Sequence, residues 1–172
     1  MIINGPYLLS AGPIKNMALE KHRIHGTSYG LSEAGYDIRI KQDVWFRKWN
    51  SNMFHSNLLG DRVFWDTDDR FTAGRFMLAS AIEEFDMPGD LTGIVHDKST
   101  WARQGLGVFN TVIEPGWKGF LTLELVYHGE QDLLIPAGSG IAQVIFHENK
   151  HTSYYDGKYQ NQQDQPVQAI LD

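Results

Sequence analysis

The chain has 172 residues, a formal net charge of −6 and no cysteine. This length suits one domain with a sizeable core, and 42% hydrophobic with 21% charged residues is typical of a globular protein. The negative charge argues against a general nucleic-acid or membrane surface, and the lack of cysteine excludes disulfides and thiolate metal sites.

The N-terminal segment is apolar, but it has no basic leader and is interrupted by Gly5 and Pro6. A secretory signal is therefore not expected. No apolar run approaches the roughly 18 residues of a membrane span. We expect a cytoplasmic protein that has neither a membrane nor a nucleic acid as its partner.

Short strand-like segments separated by turn residues follow one another along the chain. The pattern predicts strands over residues 36–46, 62–66, 74–85, 91–95, 107–113, 120–128, 132–135 and 141–148. Residues 50–61 are predicted to form a loop. Many short strands, one short helix and no regular alternation of strands with helices indicate an all-β sandwich or barrel-like fold.

The short helix is predicted to begin after Lys98. Ser99 or Thr100 would be its N-cap, and Gly105 would end it. Arg103 follows Ser99 by four positions, so both lie on one helical face. Lysine and hydroxyl groups beside unpaired backbone N–H groups favour phosphate binding. A capped surface helix with a solvated arginine has the same spacing, so spacing alone leaves both interpretations open.

Glu124 lies within a strand of leucines. Alternation places Leu121, Leu123, Leu125 and Tyr127 on one face and Thr122, Glu124, Val126 and His128 on the other. A glutamate among such residues is costly when it is buried without a partner. It therefore lies either on a solvated face or in a pocket, where Arg103 is an available partner. A carboxylate on a rigid strand can act as an acid or a base.

The histidines and the C-terminal segment allow weaker inferences. None of the seven histidines lies in a metal-ligand motif such as H-E-x-x-H, so no metal ligands are predicted. The last twenty residues are polar and poor in core-forming side chains. Their composition favours plain surface, although a tail that becomes ordered on binding a ligand would look the same.

Six motifs, in unbroken order, resemble the dCTP deaminase family of the dCTP deaminase/dUTPase superfamily. They are YDIRI (36–40), KSTWARQGL (98–106), IEPGWKG (113–119), LTLEL (121–125), PAGSGIAQVIF (136–146) and GKYQNQ (157–162). The resemblance covers roughly residues 27–166. Several separate motifs in the right order make it much more specific than any one of them.

The resemblance implies a fold and an assembly. The expected subunit is a distorted β-barrel or jelly-roll-like domain, the dUTPase-like β-clip, with one or two short helices. Residues 1–172 would form this single domain, and residues 155–172 would be a C-terminal tail that closes over the nucleotide. The subunits would form a homotrimer with active sites between them.

The resemblance also implies hydrolytic deamination of dCTP to dUTP and ammonia in deoxynucleotide metabolism. Mg²⁺ would accompany the triphosphate, and no zinc would take part. The lack of cysteine independently supports a mechanism without zinc, because zinc-dependent cytidine deaminases need a pair of cysteine ligands.

Residue roles follow from the same resemblance. Glu124 takes the place of the catalytic glutamate, Ser99 that of the serine near the attacking water, and Arg103 that of the arginine that orients them. The implied substrate-binding residues are Lys98, Ser99, Thr100, Arg103, Glu114, Thr122, Leu123, Glu124, Tyr155, Lys158 and Gln162.

Within that set, residues 98–100 would contact phosphates and base, and Glu114 the sugar hydroxyl. Thr122 and Leu123 would offer backbone contacts to the base. Tyr155, Lys158 and Gln162 would clasp the triphosphate, with Tyr154 as the alternative tyrosine.

Three departures from the family pattern keep the substrate open. Asp97 replaces a common glycine, Glu114 is longer than the usual aspartate, and the 103–114 loop is shortened, with Asn110-Thr111-Val112 in place of a Thr-Ala pair. A dUTP diphosphatase or a bifunctional enzyme is therefore the first alternative to dCTP deaminase. A non-catalytic nucleotide-binding or structural β-domain is the second. dCMP and modified cytosine nucleotides also stay open as substrates.

Overall fold

Antiparallel strands make up most of the chain. The computed structural model describes residues 1–48, 54–59, 72–109 and 111–171. The strands in these ranges are β1 (Ile2–Ile3), β2 (Lys21–Ile24), β3 (Thr27–Leu31), β4 (Tyr36–Arg39), β5 (Asp43–Lys48), β6 (Phe54–Leu59), β7 (Thr72–Ala73), β8 (Phe76–Asp86), β9 (Leu91–Asp97), β10 (Leu106–Val108), β11 (Val112–Ile113), β12 (Lys118–Tyr127), β13 (Leu133–Ile135) and β14 (Gly140–Glu148). The helices are α1 (Gly5–Ala11) and α2 (Ser99–Ala102). The predicted all-β class with one or two short helices is confirmed.

The strands form three antiparallel sheets. A seven-stranded sheet has the order β11-β9-β14-β4-β3-β2, with β1 also paired to β14. A three-stranded sheet has the order β10-β12-β8, and a four-stranded sheet has the order β13-β5-β6-β7. Apolar side chains from all three sheets meet in one core, where the rings of Phe46 and Tyr127 stack with centroids 5.3 Å apart.

The ladder between β8 and β12 follows the predicted alternation. The buried face of β12 carries Leu121, Leu123, Leu125 and Tyr127, as expected. On the opposite face, Glu124 and Val126 are half-buried. Thr122 on that face is buried, and so is its cross-strand partner Ser80. The side chain of Gln42 covers Ser80, bonding its hydroxyl and its backbone N–H at 2.8 and 2.9 Å.

One irregularity interrupts this ladder. Phe120 pairs with Glu84 and Thr122 with Ser80, so β8 carries two more residues than β12 between these pairs. The extra length lets β8 bridge to the segment between β4 and β5. The bulge therefore links the three-stranded sheet to the seven-stranded sheet.

Two predicted strands are divided in the structure. The segment predicted as 36–46 forms β4 and β5, which belong to different sheets. Between them, the N–H groups of Ile40 and Lys41 bond to Ser139 and Ser80 rather than to one partner strand. The segment predicted as 107–113 likewise divides into β10 and β11. The prediction was wrong at these connections because neither contains a glycine or proline that would signal a break in the strand.

The N-terminal third contains structure that the pattern did not indicate. Helix α1 begins at Gly5 with Pro6 in its first turn, a position where proline is favoured. Strands β2 and β3 form a hairpin around His25 and Gly26, both with positive φ. The predicted loop 50–61 was wrong in part, because β6 occupies Phe54–Leu59. The predicted strand 62–66 lies outside the described residues.

Glu83 places a carboxylate on the buried face of β8, with its side chain only 2% exposed. Its two oxygens accept the backbone N–H and the Nε–H of Arg39, each at 2.8 Å. Burial raises the pKa of Glu83, and the bonds from Arg39 oppose that rise. This pair fastens β8 to the end of β4.

Replacement of Glu83 by alanine is expected to lower the free energy of unfolding by about 2–3 kcal/mol, because the amide and guanidinium of Arg39 lose their acceptor in a partly buried site. Urea unfolding followed by circular dichroism measures the change. The adjacent Glu84→Ala is the control, since Glu84 pairs with Lys15 on the surface and should matter much less. An equal decrease in the free energy of unfolding in the two variants would contradict the stabilising role assigned to Glu83.

Candidate active site

A cavity of about 380 Å³ opens on the polar face of the β8–β12 ladder. Its lining residues come from both strands, from the segment around β11 and from the C-terminal segment. They are Phe76, Leu78, Thr111, Val112, Ile113, Glu114, Trp117, Leu121, Thr122, Glu124, Tyr155, Tyr159, Gln162, Val167, Gln168 and Ala169.

Glu124 lies in this cavity on the central strand of a three-stranded sheet. Its cross-strand partner on β8 is Leu78, and its carbonyl accepts the N–H of Phe109 at 3.0 Å. Burial raises the pKa of the Glu124 carboxyl above the ordinary 4.5. No ion-pair partner for it is seen among the described residues. A half-buried carboxylate with a raised pKa, held on a paired strand, is a candidate for proton transfer.

Glu114 contributes a second carboxylate to the same cavity. It follows β11 and begins a tight turn in which the N–H of Trp117 bonds to the Glu114 carbonyl at 3.1 Å. Gly116 in this turn has a φ of 73°, a conformation that favours glycine. The turn therefore fixes Glu114 at the rim of the cavity, where its side chain is exposed.

The C-terminal segment forms one wall of the cavity. Gln162 forms a parallel bridge with Gly119, and its carbonyl accepts the N–H of Phe120 at 3.2 Å. Farther along, the N–H of Val167 donates to the Thr122 hydroxyl at 3.1 Å. This segment thus lies directly on β12, close to Glu124.

Tyr155, rather than Tyr154, faces the cavity. Tyr155 is half-buried and lines it, whereas Tyr154 is 75% exposed and lies over the backbone of Gly116 and Gly89. Lys158 does not line the cavity, and its ammonium group donates to the carbonyl of Ile170.

The residues around α2 do not line the cavity of the single chain. Lys98 pairs with the buried Asp37, its Nζ 2.5 Å from Oδ2, and Ser28 donates to the same carboxylate oxygen at 2.8 Å. Ser99, Thr100 and Arg103 are exposed. The predicted partnership of Arg103 with Glu124 is therefore not formed within one chain, and the roles of these residues stay predictions.

The local structure of α2 corrects the predicted cap. The N-cap is Lys98, and no side chain caps the helix. The helix ends at Ala102 with Arg103 as its C-cap, so the prediction that it continues to about Gln104 and stops at Gly105 was wrong; Gly105, with a φ of 88°, lies in the turn that follows. Asp97 points away from the helix entrance, because its carboxylate accepts the N–H of Val108 at 2.7 Å.

The cavity thus brings together Glu114, Thr122, Glu124, Tyr155 and Gln162 of the predicted residues. Leu123 faces the core instead, with its side chain 1% exposed, so only its backbone could reach a ligand. The predicted site residues did not include Trp117, Tyr159 or 167–169, although the last four lie in the segment 155–172 that was predicted to close over the nucleotide. Two of them lie inside motifs already noted, IEPGWKG and GKYQNQ, and these motifs were the available signal.

Residues 8–149 match the family model for dCTP deaminase-like domains. The chain belongs to the dCTP deaminase-like family. A dCTP deaminase from Campylobacter jejuni (strain 81116) is 37% identical over 177 aligned positions, covering 92% of this chain and 95% of that protein.

Solved structures of a dCTP deaminase and of a dUTPase share the fold of this chain. One is the 2′-deoxycytidine 5′-triphosphate deaminase of Agrobacterium tumefaciens, with a TM-score of 0.55 and 15% identity, covering 86% of this chain and 48% of that one. Another is a mutant dUTPase from phage phi11 of S. aureus, described with a structural Mg(II) ion, with a TM-score of 0.50 and 13% identity over 84% and 92% of the two chains. The predicted dUTPase-like fold is thereby confirmed.

Two further findings concern metals and membranes. In the described ranges, no group of three or more histidine and acidic side chains is placed to hold a metal ion. Among the same residues, no helix is long and apolar enough to cross a membrane.

Gly119→Ala is expected to displace the C-terminal segment from β12. Gly119 has a φ of 128°, and an added Cβ would lie 2.5 Å from the backbone nitrogen of Gln162. Limited proteolysis should then cut residues 163–171 faster than in the wild type. Gly74→Ala is the control, because Gly74 has a comparable φ of 115° but open space where its Cβ would be added. Unchanged protection of the tail in Gly119→Ala would contradict the docking described above.

Proposed function

We propose that this protein is a dCTP deaminase that hydrolyses dCTP to dUTP and ammonia. The observation that carries the proposal is Glu124, a half-buried carboxylate with a raised pKa on the floor of a cavity large enough for a nucleotide base and sugar. The 37% identity to a dCTP deaminase over nearly the full length of both chains supports the same activity.

Glu124 would serve as the general base and then as the acid. It accepts a proton from water while the water oxygen attacks C4 of cytosine. The proton is then delivered toward the ring or the exocyclic amine, the C4–N bond breaks, and ammonia leaves. Proton transfer of this kind accelerates a reaction by about 10²–10⁴-fold. Placement of the cytosine ring and electrostatic stabilisation of the transition state supply the rest of the rate enhancement.

The remaining catalytic groups would come from a second subunit. Ser99 and Arg103 are exposed on α2 and do not line the cavity of their own chain. A homotrimer with active sites between subunits would bring α2 of one subunit to Glu124 of the next. There Ser99 would hold the attacking water, and Arg103 would orient the water and the carboxylate.

The other predicted residues would bind the nucleotide. The Thr122 and Leu123 backbone would meet the base, and Glu114 the sugar hydroxyl. Tyr155, Lys158 and Gln162, with residues 98–100 of α2, would surround the triphosphate. Mg²⁺ would accompany the triphosphate and be bound by its phosphate oxygens. We place the reaction in the cytoplasm, without zinc.

A dUTP diphosphatase or bifunctional activity is the second candidate. Two carboxylates, Glu114 and Glu124, line the same cavity. One could therefore serve the base while the other activates water at the α-phosphate. This arrangement would release pyrophosphate from dUTP.

A product assay separates the two activities. Purified protein with dCTP and Mg²⁺ is expected to release ammonia and to form dUTP in equal amounts. With dUTP as substrate, no pyrophosphate is expected from a deaminase alone, whereas its release would favour the bifunctional alternative. Tight nucleotide binding without turnover of dCTP, dCMP or dUTP would reject both enzymatic proposals.

Glu124→Gln in this assay should lower ammonia release by at least roughly 10²-fold, because the amide cannot accept the water proton. Its dCTP affinity should stay close to that of the wild type. Glu148→Gln, an exposed residue at the end of β14, is the control and should keep full activity. Substantial turnover by Glu124→Gln would remove Glu124 from its assigned role.

The pH dependence of kcat/KM provides an independent check on Glu124. The carboxyl must be ionised to act as the base, and burial raises its pKa. Activity should therefore be full at higher pH and fall as the pH drops through a value above the ordinary 4.5. Circular dichroism over the same range establishes that the protein stays folded. An acid limb at or below the ordinary value would contradict the assignment.

A further inference from the structure

Asp97 lies where the chain crosses from one sheet to another beside the cavity. Strand β10 pairs with β12 in the three-stranded sheet, and β11 pairs with β9 in the seven-stranded sheet. The backbone between them must therefore leave Glu124's strand and reach β9 within a few residues. Thr111 and Val112, which follow the crossing, line the cavity.

Three hydrogen bonds fix this crossing. The N–H of Phe109 donates to the Glu124 carbonyl at 3.0 Å, and the carbonyl of Thr111 accepts the N–H of Val95 at 3.0 Å. The N–H of Val108 donates to the Asp97 carboxylate at 2.7 Å. Of these three bonds, the third alone uses a side chain, so a substitution can remove it without changing the backbone.

The geometry explains why an acceptor is needed at this point. Successive N–H groups of a strand point to opposite sides, and that of Phe109 points toward β12. The N–H of Val108 therefore points away from β12, at the open edge of β10. Asp97, the last residue of β9, supplies the acceptor that no strand supplies there. A bond to an ionised carboxylate is stronger than one between neutral groups.

We propose that Asp97 is a positioning residue that holds the crossing, and with it the Thr111–Val112 wall, in place beside Glu124. Asp97 does not itself line the cavity. The expected effect of Asp97 on deamination kinetics rests on the proposed deaminase function, whereas its expected effect on the backbone at Val108 does not. The carboxylate acts here as a hydrogen-bond acceptor, and its charge is not what the cavity requires.

Three variants test this proposal. Asp97→Ala removes the acceptor, Asp97→Asn keeps an acceptor oxygen and removes the charge, and Asp90→Ala removes an exposed acid at the other end of the same strand. Amide hydrogen exchange at Val108 is expected to speed up about tenfold or more in Asp97→Ala and to stay slow in the other two. The Phe109 amide, bonded to Glu124, is the internal reference.

The same variants are also tested by steady-state kinetics, at a temperature where all of them are folded. Asp97→Ala should lose roughly tenfold in kcat/KM for dCTP, because a displaced wall misplaces the base. Asp97→Asn and Asp90→Ala should stay within about twofold of the wild type, since both keep the acceptor at Val108. Rescue by asparagine separates the role of the acceptor from that of the charge.

Several results would overturn the proposal. Unchanged amide exchange at Val108 in Asp97→Ala would do so. An equal loss of kcat/KM in Asp97→Ala and Asp97→Asn would do so as well. A lowered melting temperature with unchanged kinetics would assign Asp97 to stability alone. If the wild type releases no ammonia from dCTP, the proposed function fails. The positioning role of Asp97 is then tested separately, by amide exchange at Val108 and by the affinity of each variant for dCTP.

Discussion

The antiparallel ladder between β8 and β12 is the constraint on which the candidate site depends. One face of the ladder carries the leucines of the core, and the other carries Thr122 and Glu124. Because β12 pairs with β8 on one side and bonds to β10, Phe109 and Gln162 on the other, the strand is a rigid support. The carboxylate can therefore be held half-buried, at the cost of desolvation, without an ion-pair partner among the residues that the structure describes.

The face of the ladder that carries Thr122 and Glu124 forms the floor of the cavity. Its walls are formed by segments outside the ladder. The crossing from β10 to β11 borders one side, and the C-terminal segment, fastened through Gln162 and Val167, borders another. Each wall is held mainly by backbone hydrogen bonds to β12 or β9. The cavity can therefore be reshaped by changes in short connecting segments while the floor stays the same, and solved structures that share this fold are named both dCTP deaminase and dUTPase.

Much of the floor could be predicted from sequence because period-two alternation decides which residues share a face. It placed Glu124 with Thr122 and opposite Leu123, as the structure does. The change of sheet between β4 and β5 and that between β10 and β11 could not be predicted in this way, since no glycine or proline marks either connection. The N-cap at Lys98 was missed because the prediction looked for a capping hydroxyl, whereas no side chain caps this helix. The C-terminal wall followed from motif resemblance alone, as its polar composition gave no sign of docking.

The two surplus residues in β8 have a consequence for how the fold tolerates change. Because the surplus is an even number, the inward and outward orientation of side chains is the same on both sides of the bulge, and Met77, Ala79, Ala81, Glu83 and Phe85 all point inward. Loss of a single residue there would invert this parity and turn Glu83 outward and Glu84 inward. Loss of two would preserve it, so sequence length in this stretch should vary in pairs.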